Sequence, residues 1–256
     1  MPDRPRTRVV HDEPPPEPSF PVRLAAEALG AFLLTFVAVG GDAAGVITDG
    51  KVEVLARAVA PGLLVMAFIY AMGDRSGAHL NPAVTVAFTL RGLFPVSLAP
   101  AYVLAQLAGA LAGAAAVAVL LGSAVAAGVT KPHGIGQGAA LGIEVVLTAI
   151  LVTVILGTAD RYRVVGANAA MAVGATIALC GLIALPLEGA SMNPARSTGP
   201  AVVALDLADL WIYCVGPLVG AVLAVGLARL LHGPAPADAK AVEAATGSDG
   251  RRAVTN

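Results

Sequence analysis

The tripeptide Asn-Pro-Ala occurs twice, at 81–83 and 193–195, and each copy heads a short apolar run. Residues 77–86 read GAHLNPAVTV and residues 189–198 read GASMNPARST. Asparagine caps helices well, because its side-chain oxygen accepts from the orphan N–H groups of the first turn. Proline suits the first helical position, where no N–H is needed. Each copy is therefore expected to start a helix at Asn81-Pro82-Ala83 and at Asn193-Pro194-Ala195. The first run ends at Arg91-Gly92, which leaves about 16 Å of helix. That is half of a bilayer core of about 30 Å. Two asparagine-capped half-helices in one chain constrain the fold more than any other feature.

Composition supplies the setting. The chain of 256 residues is 57% hydrophobic and 13% charged, against about 25% charged in a soluble domain. An integral membrane protein follows. A net charge of −1 predicts no nucleic-acid partner. Six apolar segments, near 20–41, 54–73, 95–121, 137–157, 164–186 and 208–231, are each long enough to span a bilayer. Gly30, Gly109, Gly113, Gly142, Gly174 and Gly220 lie inside them and read as close helix contacts. The polar, proline-rich ends, 1–19 and 233–256, read as disordered cytoplasmic tails. The N-terminus lacks the early apolar core of a signal peptide. Cys180 and Cys214 show no pairing logic and no metal-ligand spacing, and read as reduced thiols.

The chain repeats. Glu27 opens the first segment and Glu144 the fourth, and each precedes an Asn-Pro-Ala box by a similar interval. The repeats cover about 20–121 and 137–231. Three spans per half is an odd number, so the halves run through the membrane in opposite senses. Inverted repeats with broken helices place their site at the midplane. Lysine and arginine then orient the chain. With the N-terminus in the cytoplasm, Lys51, Arg57, Lys131 and Arg196 face outward and the other twelve of the 16 basic residues face inward. Both termini are expected in the cytoplasm of a multi-pass cell-membrane protein.

The twin Asn-Pro-Ala boxes, the duplicated glutamate and the Asn-Pro-Ala-Arg-Ser-Thr run resemble the aquaporin, or major intrinsic protein, family over residues 20–232. The resemblance implies an all-α membrane fold: six spanning helices plus two re-entrant half-helices in an inverted repeat. It also implies that the half-helices meet at mid-membrane, so that Asn81 and Asn193 hydrogen-bond the permeating oxygen. Helix N-termini carry partial positive charge, and two of them at the midplane repel protons and other cations. By the same resemblance Glu27 and Glu144 brace the re-entrant loops. The backbone carbonyls of Gly77, Ala78, His79, Gly189, Ala190 and Ser191 line the pore. Arg196 belongs to the outer constriction; its rival role is an ion pair with Glu188.

The family spacing puts Pro61, Gly181 and Ala190 beside Arg196 in that constriction. Strict water channels carry bulkier groups at the first two positions, so a wider neck is expected. Glycerol facilitators share the glycine but add two aromatics that are missing here, and follow the arginine with Asp where this chain has Ser197. The expected function is passive permeation of water and small uncharged solutes, with protons and ions excluded. A glycerol-type facilitator is the alternative within the family. A secondary transporter is the rival from another class, with Glu27 and Glu144 as its only candidate coupling groups. No cofactor, metal site or enzyme constellation is expected. The partners are the bilayer, small neutral solutes and further copies of the chain in a homotetramer.

Overall fold

A computed structural model describes residues 17–160, 168–235 and 239–247. Residues 1–16 of the expected tail 1–19, Arg161 and Arg163, which were expected to face inward, and residues 236–238 and 248–256 of the expected tail 233–256 lie outside them. Six long helices cross the molecule: α1 (Phe20–Ile47), α2 (Val54–Ser76), α4 (Ala99–Leu121), α5 (Gln137–Asp160), α6 (Asn168–Glu188) and α8 (Leu210–His232). Among the described residues, two short helices, α3 (Pro82–Arg91) and α7 (Pro194–Val203), a terminal helix, α9 (Ala239–Thr246), and a 3-10 turn at Gly122–Gly128 accompany them. The six long helices have mean hydropathies of 1.8–2.5 over their best windows, and a span of about 20 such residues crosses a bilayer. Their outward faces carry exposed apolar side chains such as Val119, Ile183 and Leu230.

The ends of these helices follow local chemistry. Pro21 sits in the first turn of α1. Gly77 closes α2 and Gly92 closes α3, both in the left-handed conformation that glycine tolerates. The first apolar segment was expected to end at 41, yet α1 continues to Ile47. The added turns carry Asp42, a charge that hydropathy alone assigns to a loop.

Small residues set the packing. A methyl on Gly109 of α4 would collide with Ala28 O on α1, and one on Gly113 with Phe32 O. The second half repeats the arrangement: α8 passes α5 with Gly220 against Val145 O and Gly216 against Glu144 Cβ. The halves join where Gly62 of α2 and Gly174 of α6 each face the other's carbonyl. Such approaches suit helices that gain little from the hydrophobic effect in lipid. Gly142 departs from the expectation, because nothing lies within 4 Å of its would-be Cβ.

The C-terminal segment also departs from it. A disordered tail was expected over 233–256, but Ala239–Thr246 form α9. Arg91 fixes the approach, donating from Nη1 to Gly233 O at 2.7 Å. Ala241 and Ala245 are then buried with Phe88, Phe94 and Tyr102. The run AKAVEAAT is rich in helix formers and puts small apolar residues four apart on one face. Composition hid this short amphipathic pattern.

Candidate pore and its lining

The two loops before the half-helices have the same backbone. Gly77, Ala78 and Leu80 have φ of 87°, 48° and 55°, and Gly189, Ala190 and Met192 have 99°, 46° and 53°. Left-handed geometry at non-glycine residues costs about 1–2 kcal/mol each. It turns successive amides toward one buried acceptor. In the first loop Glu27 accepts from the N–H groups of His79 at 2.9 Å and Leu80 at 2.8 Å. In the second, Glu144 accepts from Ser191 at 2.6 Å and Met192 at 2.8 Å. Both glutamates are fully buried. Each carboxylate thus accepts two successive amides of one loop.

The asparagines close each half-helix start. Asn81 Oδ1 accepts from Ala83 N at 2.8 Å, and Asn193 Oδ1 from Ala195 N at 2.9 Å and Arg196 N at 3.3 Å. Pro82 and Pro194 occupy the first helical positions. The two amides cross: Asn81 Nδ2 donates to Met192 O at 2.7 Å, and Asn193 Nδ2 donates to Leu80 O at 2.9 Å. The N-termini of α3 and α7 therefore meet tip to tip. An amide nitrogen has two N–H donors, so each asparagine retains one beyond the crossed bond.

A cavity of about 340 Å³ passes these tips. Asn81, Asn193, Pro61, Gly181, Ala190 and Arg196 all line it. So do Gly77, Ala78, His79, Gly189 and Ser191 of the two loops. Glu27 and Glu144 stand behind the loops, and Ala83 and Ala195 are packed inside the half-helix contacts. Gly181 has a second duty. Its would-be Cβ lies 2.8 Å from Ala58 O, so glycine there also sets how closely α6 approaches α2.

Arg196 is 5% exposed and donates from Nη1 to Gly128 O at 3.0 Å. Its carboxylate partner is Asp42, 3.6 Å from Nη2, rather than the Glu188 of the rival reading. Glu188 instead accepts the Ala190 N–H at 2.9 Å, the place that the Ser76 hydroxyl takes opposite Ala78 N in the first loop. Asp42 also pairs with Arg57 at 3.2 Å.

Several groups in the site escaped the sequence reading. Gln106 donates to Glu27 at 2.7 Å and to Thr85 at 2.9 Å. Tyr102 and Tyr213 donate to the carbonyls of Ser76 and Glu188. The signal was present: each is a polar or aromatic residue within an apolar segment, and the tyrosines hold matching positions in the repeat. The His79 ring is packed against Phe88, Phe94 and Tyr102 and bonded to Thr85 Oγ1 at 3.0 Å and Ala245 O at 2.8 Å.

Comparison with known proteins agrees with this architecture. The Major intrinsic protein family matches residues 17–227. Aquaporin NIP1-1 of Zea mays is 44% identical over 78% of this chain and 71% of its own length. Aquaporin NIP1-2 of Arabidopsis thaliana is 42% identical over 78% and 70%. Among solved structures, the aquaglyceroporin from Plasmodium falciparum superposes with a TM-score of 0.75 at 27% identity, covering 84% of this chain and 97% of that one. With two braced loops, two half-helices meeting by their asparagines and a cavity running past them, the chain belongs to the major intrinsic protein family of membrane channels.

Proposed function

We propose that the chain is a passive channel for water and small uncharged solutes, glycerol among them, and that it excludes protons and ions. The observation that carries this reading is the crossed asparagine pair. It fixes two helix N-termini at one point of the cavity and leaves a donor N–H on each side. A permeating oxygen that accepts from both asparagines is turned away from relaying a proton along a file. The paired positive dipole ends oppose a cation at the same point. The loop carbonyls at Gly77, Ala78, His79, Gly189, Ala190 and Ser191 offer acceptors above and below. Arg196 with Pro61, Gly181 and Ala190 forms the selective neck, and the small side chains there favour a solute larger than water.

A multi-pass cell-membrane location with both termini in the cytoplasm is supported by the basic residues on the terminal side, Arg23, Arg75, Arg91 and Arg229. Assembly as a homotetramer is part of the same proposal and rests on the family likeness. The likeness to an aquaglyceroporin supports glycerol as a solute.

Stopped-flow light scattering on proteoliposomes tests the reading. Water and glycerol flux well above that of empty vesicles is expected, with no proton flux reported by an entrapped pH dye. A fast proton leak would refute the midplane mechanism. Equal glycerol flux in full and empty vesicles would leave a plain water channel.

A further inference from the structure

The Arg196 neck contains a carboxylate as well as a guanidinium. Asp42, on the last turns of α1, lies between two arginines: Oδ1 is 3.2 Å from Arg57 Nη1 and Oδ2 is 3.6 Å from Arg196 Nη2. The position is built for this. Arg57 reaches across α1 over two glycines, with its Cγ 3.7 Å from a would-be Cβ on Gly41 and its Cδ 3.1 Å from one on Gly45. Any larger residue at 45 would push Arg57 away from Asp42. Asp42, Arg57 and Arg196 line both the long cavity and a second, outer cavity of about 260 Å³. They therefore stand at the junction of the two.

We propose that Asp42 is a specificity-determining residue of the neck, held there by Arg57. This rests on the reading of Arg196 as the constriction. An arginine offers donors only, so a neck built on Arg196 alone would prefer acceptors. Asp42 adds an acceptor at the same level and lowers the local charge from two positives to one. The neck then presents donor and acceptor together, which suits neutral solutes whose hydroxyls do both. It also holds a weaker field for attracting anions than two bare arginines would.

The test is a charge series in proteoliposomes. Asp42→Asn leaves two uncompensated arginines. A several-fold fall in the glycerol-to-water permeability ratio and measurable nitrate influx are expected. Arg57→Gln makes the remaining pair neutral and should weaken cation exclusion. The double variant Asp42→Asn/Arg57→Gln restores a net single positive charge. It should lose the nitrate leak yet keep the lowered glycerol ratio, because the amide retains one acceptor oxygen but puts N–H donors where the carboxylate only accepted, a pattern that misfolding does not produce. If Asp42→Asn reaches the membrane in normal amount with wild-type ratio and no nitrate influx, the proposal is overturned. Wild-type vesicles that pass neither water nor glycerol would overturn the constriction itself.

A separate observation concerns the opposite mouth. α9 is seated against the first re-entrant loop: Ala245 O accepts from His79 Nε2 at 2.8 Å. The approach uses glycine on both sides. A Cβ on Gly77 would strike Ala245 O, and one on Gly247 would lie 2.5 Å from Ser76 N. Glu243 and Ala244 form part of the cavity wall at this end. We infer that α9 is a plug which restricts the mouth on the terminal side. It is tethered through Arg91 at Gly233 and packs on the loop mainly through small residues, Ala241, Ala245 and Gly247. Deleting 236–256 should raise unitary water permeability several-fold, and so should Ala245→Glu in the full chain, which cannot bury its carboxylate. A synthetic peptide of residues 236–256 should slow the truncated channel again. Wild-type permeability for both variants at equal incorporation would refute the plug.

Discussion

Replacing Glu27 with leucine removes four hydrogen bonds from the first loop at once. The carboxylate accepts from Ser76 Oγ at 2.7 Å, His79 N at 2.9 Å, Leu80 N at 2.8 Å and Gln106 Nε2 at 2.7 Å. All of these groups are buried, so none finds water when the acceptor goes. An orphaned buried donor costs about 1–3 kcal/mol, and the two backbone amides alone therefore cost about 2–6 kcal/mol. The left-handed backbone at Ala78 and Leu80 makes the loss worse, because those conformations exist to aim the amides at Glu27. Glu27→Gln keeps one carbonyl oxygen and loses the charge, which should cost roughly half as much, since charge-assisted bonds are about twice as strong as neutral ones. For a chain of this size about 1 kcal/mol shifts Tm by roughly 2–4 °C. In detergent, Glu27→Leu should melt of order 10 °C below wild type, with Glu27→Gln between. Membrane yield should follow the same order. Wild-type Tm, yield and water flux for Glu27→Leu would refute the bracing role.

Arg196→Val removes the fixed charge at the neck and should admit small cations, measured as sodium influx with an entrapped dye; a tight variant would refute charge exclusion there. Gly181→His should lower glycerol flux more than water flux in stopped-flow traces. Because its Cβ meets Ala58 O at 2.8 Å, it should also lower Tm, and unchanged Tm would show that α2 and α6 separate freely. Gly109→Val should cost folded yield by forcing α4 off Ala28 of α1, measured by size-exclusion chromatography; a normal monodisperse peak would refute the close contact.

Much of this arrangement is legible in the chain. Spans, half-helices and bracing glutamates each leave a mark in one dimension: a hydropathy run, an Asn-Pro pair, a lone charge inside an apolar segment. Gly92 even marks the end of α3 at the residue expected. What escaped depends on which helix faces which. Asp42 looked like the first residue after a span, because a window of mean hydropathy stops at a charge whether or not the helix does. Its meaning comes from Arg57 and Arg196, 15 and 154 positions away in sequence. Gly181 was legible as a missing side chain at the neck. That it also spaces two helices follows only from where its Cβ vector points. The terminal helix was hidden by alanine, which lowers hydropathy contrast while favouring helix.

The inverted repeat accounts for how one cavity carries both a paired centre, at Asn81 and Asn193, and an unpaired arginine, Arg196. The loops match in the paired amide bonds to Glu27 and Glu144, so the asparagine tips meet as two opposed dipole ends of the same sign. Such ends oppose cations from either direction. The rest of the lining breaks the symmetry. The residue three after Asn193 is Arg196, while the residue three after Asn81 is Val84, which also lines the cavity. Beside Arg196 stand Asp42 and Arg57; at the other end stand His79 and the alanines of α9. Were Val84 an arginine too, a second charged constriction would lie at the terminal mouth, and a solute would meet two barriers in series. The buried arginine stands on one side only. The other mouth, walled in part by Asp74, Glu243 and Ala244, is where the alanine face of AKAVEAAT seats against His79, Phe88 and Tyr102.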